Sequence, residues 1–424
     1  MRTGQAPKVL MIAYACNPEG TGEHWLGWGW AEQAAKNHRV YLITTPNARE
    51  SVERNAKIHG ITVRFASVST RLRKLTDRCG RLGSWMRKIV WAYQVERIAA
   101  EWHAQEQFAL VHQTTFHSFR FPFLANRLGV PSVWGPIAGG EHVPSGFSGY
   151  IRPVYLPEPL RRIGNRLWLL WPPVQRALQR TDVLFVSNRQ TLKFLGAKLA
   201  VKSVVVAPNA LRPEDEKSVT PPNDSRPGSP APGAAADDPA RGLKLLYVGN
   251  CLPTRAMAMV FAALAQAALK NCELTIIGGG DGFKFWQSQA RKYGVSESVK
   301  FLGRIPHAQL AQYYQQADLL VFPALRDSGG SALLEAMSKG VPVLCFDWAG
   351  PAEMVDADSG VKIPVTHPQE TIRALAGALV QLDQDPARRK QLGQRALIHA
   401  QTHFTWAAKR ELLEQTYERL WAAQ

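Results

Sequence analysis

The 424-residue chain lacks the features that mark a membrane-embedded, disulfide-framed or zinc-dependent protein. It has no stretch of about 20 apolar residues, so no membrane-spanning helix is expected. Cysteine is scarce: Cys16, Cys79, Cys251, Cys272 and Cys345 are odd in number, scattered, and never spaced Cys-x-x-Cys. That pattern argues against a disulfide frame or a structural zinc site and for reduced thiols in a cytosolic compartment. Large apolar residues are nearly missing from 213–241, where prolines gather with Gly, Ala and Asp, so that span cannot pack a core and reads as a flexible linker. Acidic residues are short in the first half alone. Residues 1–212 carry 29 Lys and Arg against 12 Asp and Glu, while the remainder carries 22 of each, so the whole net charge of +17 sits in the first half. Such asymmetry implies a polyanionic partner for that half.

What is present is an alternation of strand and helix signals. Lys8 to Ala15 is apolar, Asn17 to Gly22 is a loop, Trp25 to Lys36 has helical spacing, and Arg39 to Thr44 is apolar again. The run Val9 to Cys16 imitates a signal peptide but is brief, and reads better as a first buried strand. Further strands are expected at Ile61–Phe65, Leu110–Gln113, Ser132–Trp134, Val183–Ser187 and Ser203–Ala207. The pattern restarts after the linker at Leu243–Val248 and continues through Leu319–Pro323. Pro368 to Ala423 reads as helical throughout. Alternation of this kind means parallel sheets with helical crossovers. The expected organisation is a first domain over 1–212, a linker over 213–241, a second domain over 242–403, and a last helix over 404–424.

The most informative residues are Asp327 and Glu335. Asp327 precedes the turn Ser328-Gly329-Gly330-Ser331, and Glu335 lies inside the helix that the turn opens. A helix start offers unpaired N–H groups and a favourable dipole to phosphates. A carboxylate on either side of it suits a ligand with a sugar at one end, phosphates in the middle and a ribose at the other. From Leu243 to Val355 the chain resembles the C-terminal domain of the retaining GT4-type glycosyltransferases. Their Glu–seven residues–Glu motif stands here as Asp327 to Glu335, followed by Ala336-Met337-Ser338-Lys339-Gly340-Val341-Pro342-Val343. Asp replaces the first Glu, keeping the charge and shortening the reach.

The resemblance implies a GT-B fold, α/β with two Rossmann-like domains and parallel sheets facing a central cleft. It implies sugar transfer with retention from a nucleotide-diphosphate sugar, without a metal or other cofactor. In that frame Asp327 binds donor sugar hydroxyls, Glu335 the ribose, and Ser328, Gly329, Gly330 and Ser331 the diphosphate. Where the family has two basic residues against the leaving diphosphate, this chain has Asn250 and Arg255, so one cation remains, and Arg304 is a candidate to compensate. Such cations matter because they stabilise the developing charge. Gly20 and Gly22 fit the loop that approaches the diphosphate. His112 best matches the first-domain His that faces the donor sugar and is counted with Asp327 and Arg255 as catalytic. Glu141 and His117 are acceptor-side candidates. The last helix resembles one that crosses back to the first domain.

Two basic, Trp-containing stretches remain, 69–102 and 161–171. The first holds eight basic and three acidic residues. They suit an anionic membrane surface, and no nucleic-acid motif accompanies them. The expected partners are therefore a nucleotide sugar, a lipid-linked or glycan acceptor, and an anionic membrane. The expected location is the cytoplasm, peripheral on the inner membrane face. The alternative is a GT-B scaffold that has lost catalysis and acts as a regulatory partner.

Overall fold

The structure is a computed structural model and describes residues 6–151, 157–217, 242–252 and 254–423. The chain divides into two compact units, one of Met1–Gly140, Arg162–Pro208 and Trp406–Gln424, the other of Glu141–Arg161 and Asn209–Thr405.

The first unit is built on seven strands: β1 (Lys8–Ala13), β2 (Arg39–Thr44), β3 (Thr62–Phe65), β4 (Leu110–Thr115), β5 (Ser132–Ile137), β6 (Val183–Val186) and β7 (Ser203–Val205). Their order is β3-β2-β1-β4-β5-β6-β7 and every pairing is parallel. Strands of such a sheet are covered by helices on both faces, which explains why β1, β2 and β6 are near-continuous apolar runs. The core gathers Leu10, Ile12, Trp91, Trp134 and Phe123 against these strands.

The helix Trp406–Ala422 packs inside this unit. Trp406 lies over Gly29 of the helix Glu23–Ala35, where a Cβ would fall 2.1 Å from the indole. Trp421 Nε1 donates to the Ala109 carbonyl, and Lys409 Nζ to that of Ala207 at 2.7 Å.

The second unit holds β8 (Lys244–Val248), β9 (Glu273–Ile277), β10 (Val299–Gly303), β11 (Leu319–Phe322), β12 (Val343–Phe346) and β13 (Gly360–Ile363). Their order is β10-β9-β8-β11-β12-β13, again all parallel. Residues 368–422 are not one helical run. They form Pro368–Gln384, Pro386–His403 and Trp406–Ala422, broken where Asp385 caps the helix opened by Pro386 and where Phe404 ends it. The span expected as a linker opens on a turn of helix, Pro213–Lys217, whose Asp215 pairs with Lys339 at 3.0 Å; residues 218–241 lie outside the described residues.

Each sheet reverses its strand order once, between β1 and β4 in the first and between β8 and β11 in the second. Loops at the carboxyl ends of strands flanking such a reversal splay apart, and ligands of doubly wound sheets bind there.

No helix among the described residues is long and apolar enough to cross a membrane.

Candidate donor site

In the second unit the loop after β8 carries Arg255 and the loop after β11 carries Asp327, so both side chains come from the reversal point of the sheet. They meet. Arg255 Nη2 donates to Asp327 Oδ2 at 2.7 Å, and the two side chains are 9% and 12% exposed. Asp327 Oδ1 also accepts from the Gly329 N–H at 3.0 Å. The guanidinium sits 4.2 Å over the Phe322 ring, with Tyr247 close by at 5.7 Å. Burial pushes the Asp327 carboxyl up and the Arg255 charge pulls it back, leaving it above its usual range. Arg255 keeps its proton under any ordinary condition, so the pair is a buried ion pair. Arg255 Nε and Nη1 are buried with no hydrogen-bond partner among the described residues.

The sequence assigns these two residues separate tasks, one at the sugar and one at the leaving charge. The structure couples them, because Arg255 spends part of its charge on Asp327. Asn250 is exposed; its carbonyl accepts from Tyr247 Oη at 2.8 Å and from the Leu252 N–H. The next cation along is Arg304. It is exposed, and its Nε lies 3.3 Å from where a Gly279 Cβ would stand. A cavity of about 430 Å³ is lined by Gly278, Gly279, Gly280, Asp281, Phe283, Lys284 and Gly303. Gly278 is required here: a Cβ would sit 1.9 Å from the Gly249 carbonyl, so only glycine lets the ends of β8 and β9 approach this closely.

The turn Ser328 to Gly330 leads into the helix Ser331–Ser338, whose start no side chain caps. Gly330 lies against the Phe322 ring, 2.5 Å from Cζ to a would-be Cβ, which brings the helix start down onto the ring beneath Arg255. Glu335, a turn further, is half-buried. Its Oε2 accepts from Tyr314 Oη at 2.8 Å, and His307 Nε2 stands 3.5 Å from Oε1. Burial pushes Glu335 up, but the hydrogen bonds and the His307 charge outweigh it and hold the carboxyl below its usual range. His307 is raised in turn, mainly by that bond.

Sequence reasoning missed Tyr247, Phe322, Tyr314 and His307, because single aromatics in a strand or helix carry no spacing signal. It also missed a second ion-pair group. Glu158 accepts from Arg161 Nε and from Arg326 Nη1, both at 3.0 Å, and Arg326 is the neighbour of Asp327. Burial raises Glu158, and the two arginines more than offset it. Glu141, expected on the acceptor side, is buried in this same unit, with its backbone carbonyl on Arg161 and its carboxylate within electrostatic range of Asp327 and Arg326.

The first-unit candidates fall differently. His112 is fully buried in β4. Nε2 faces the Gly135 carbonyl at 3.0 Å, an acceptor only, so it carries the proton, and Nδ1 accepts from Tyr417 Oη at 2.7 Å. Burial lowers its pKa to about 4. Both ring nitrogens are used inside the unit, which corrects the expectation of a catalytic role: His112 ties β4 and β5 to the last helix. His117, past the end of β4, has a buried Nε2 without a partner among the described residues, and burial lowers its pKa. Its N–H donates to Glu23 Oε1 at 2.8 Å across the reversal point of the first sheet. Gly22 begins that helix with φ +57°, and Gly20 N donates to the Asn17 carbonyl at 3.0 Å.

Two Asp-x-Asp sequences occur, and both serve local structure. Asp356 Oδ1 accepts from the N–H groups of Asp358 and Ser359, and Asp385 Oδ1 from that of Arg388.

Residues 237–399 match the family model described as Glycosyl transferases group 1. The matched stretch falls within the 209–405 part of the second unit. Among curated relatives, "D-inositol 3-phosphate glycosyltransferase" of Corynebacterium diphtheriae is 37% identical over 182 residues, covering 41% of this chain and 42% of that protein. The chain spans less than two thirds of the length of the curated relatives it matches first. Among solved structures, sucrose-phosphate synthase from Thermosynechococcus elongatus superposes with a TM-score of 0.63 at 20% identity, covering 99% of this chain and all of that one. HepE of Anabaena, solved in complex with UDP and glucose, gives 0.59 at 14% identity over 97% of this chain and all of that one. The fold is the GT-B α/β fold with two Rossmann-like units.

Proposed function

We propose that the chain is a retaining glycosyltransferase that moves a sugar from a nucleotide-diphosphate sugar to an acceptor, without a metal ion. One observation carries the reading: Arg255, Asp327 and the uncapped start of the helix Ser331–Ser338 converge at the reversal point of the second sheet. A helix start with a guanidinium beside it is built for phosphate, and a carboxylate at the same point suits sugar hydroxyls. Asp327 takes the sugar, Ser328 to Ser331 the diphosphate, and Glu335 the ribose. Arg255, held in place by Asp327, and Arg304, at the rim, share the leaving charge. Fixed charges of this kind lower the barrier without reorganising.

The relatives' names make a phosphorylated polyol the first acceptor to try, and the HepE complex makes UDP the first carrier. The sequence reading of a lipid-linked or polysaccharide intermediate, met at the inner membrane face, stands beside it. The experiment incubates the protein with UDP-, GDP- and ADP-sugars and an inositol phosphate or lipid-linked acceptor, and follows release of the nucleoside diphosphate. Asp327→Asn should lower turnover by about a hundredfold, the size typical of losing one preorganised polar group.

Asn250 and the ion-pairing of Arg255 favour a second reading, a scaffold that binds a nucleotide sugar without turning it over. Donor binding with no release against any acceptor, and no donor hydrolysis, would select it.

A further inference from the structure

Among the described residues, eight of the thirteen exposed large apolar side chains fall within 75–93 and 160–170. They lie on the helices Thr70–Asp77, Gly80–Glu106 and Glu158–Leu170. Leu82 and Met86 are spaced i, i+4; Ile163, Leu167 and Leu170 are spaced i, i+4, i+7. Each set therefore forms one stripe of its helix. The three helices touch. A Cβ on Gly83 would lie 1.8 Å from the Thr76 carbonyl, so the short helix rests directly on the long one. The rings of Trp85 and Trp168, 5.0 Å apart, join the long helix to the third.

The charge beside these stripes has one sign. Arg71, Arg73, Lys74, Arg78, Arg162 and Arg166 are exposed, and the acid among them, Asp77, is taken by Arg87 at 2.9 Å. Trp91 and Trp102 are buried, and Trp85, Trp168 and Trp171 are half-buried. Trp91 is 1% exposed and donates its Nε1–H to the Ala66 carbonyl; Trp85 packs on Phe121, and Trp168 on Trp171. The sequence casts the tryptophans as interface anchors, and the structure makes them the internal glue of the face.

We propose that Leu75, Leu82, Met86, Ile163, Leu167 and Leu170 insert into an anionic lipid bilayer, with the six basic residues as a collar on its headgroups. Apolar insertion and headgroup attraction together hold a peripheral protein on a membrane, and neither suffices alone. A second copy is disfavoured as occupant, because it would press one cationic collar against another. The inference deepens the membrane part of the proposed function and does not depend on the donor site.

The test is flotation of the full chain with phosphatidylcholine vesicles, with and without phosphatidylglycerol, at low and high salt. The wild type should float only with the anionic vesicles and be released by salt. Leu82→Asp and Leu167→Asp should each weaken partition by about tenfold, the loss expected for one inserted leucine. Ile58→Asp, at an equally exposed site 72% accessible on another helix, should float as the wild type does. Arg162→Glu with Arg166→Glu provides a second route that leaves the apolar face intact and should reduce the salt-sensitive part. Failure to float would overturn the proposal, as would flotation untouched by the leucine variants. So would self-association without lipid that Leu82→Asp disperses, which would make the face a contact between copies. A nucleotide-sugar thermal shift retained in Leu82→Asp distinguishes failure of this face from failure of the donor site.

Discussion

At the scale of single residues, the site rests on charges that depend on each other. Removing one partner of a buried ion pair strands the other, which costs about 3–5 kcal/mol, whereas replacing both with apolar groups is often nearly neutral. Asp327→Ala should therefore destabilise the protein strongly, and adding Arg255→Met should recover much of the loss. Chemical denaturation of the two single variants and the double variant measures the coupling, and simple additivity would show that the pair is not coupled. His112 gives a pH prediction. Its pKa falls from 6.5 to about 4 on folding, so the folded state binds fewer protons than the unfolded state between those values. Its contribution is complete above pH 6.5 and is lost as pH falls through that window. Stability should drop by up to about 3 kcal/mol across it. His112→Gln should flatten the slope in denaturant titrations at several pH values. An unchanged slope would mean that His112 does not titrate on unfolding.

At the scale of elements, position follows from backbone fit. The helix Ser331–Ser338 starts where it does because Gly330 has no Cβ to strike Phe322. Gly330→Ala should force ring or backbone to shift, costing about 1–3 kcal/mol and loosening the phosphate end of the site. The melting temperature reads the first effect, and the affinity for UDP reads the second. Most elements are legible in the sequence. Arg39–Thr44 and Glu273–Ile277 can be read to the residue, because buried parallel strands are short apolar runs between turns. The turn Ser328 to Ser331 and the helix behind it are legible too. The break after Gln384 is not, while the one after His403 falls at the expected start of the last helix. The helices behind the basic stretches show in their charge, while the direction of their tryptophans depends on neighbours distant in sequence, such as Ala66 and Phe121.

At the scale of the whole molecule, two parallel sheets each present a reversal point: Gly20, Gly22 and His117 follow the strands that flank the first, and Asn250, Arg255 and Asp327 those that flank the second, while His112 sits inside β4, Glu141 follows β5 and Arg304 follows the edge strand β10. The approach of Asp327 and Glu335 to one helix start is legible as eight positions of spacing. Arg255 on Asp327 is not, because the contact spans 72 residues and joins two loops. The nearness of Glu141 to Asp327 is likewise not legible, because the two are far apart in sequence. The central claim is a nucleotide-sugar site formed by Asp327, Arg255 and the 331–338 helix start. Calorimetric titration of UDP-, GDP- and ADP-sugars into the wild type and Asp327→Asn tests it most directly. The account predicts one-site binding of at least one donor to the wild type, weakened by about tenfold or more in the variant, as expected for a lost charge-assisted bond. Equal affinity in the two proteins, or no binding of any nucleotide sugar, would contradict it.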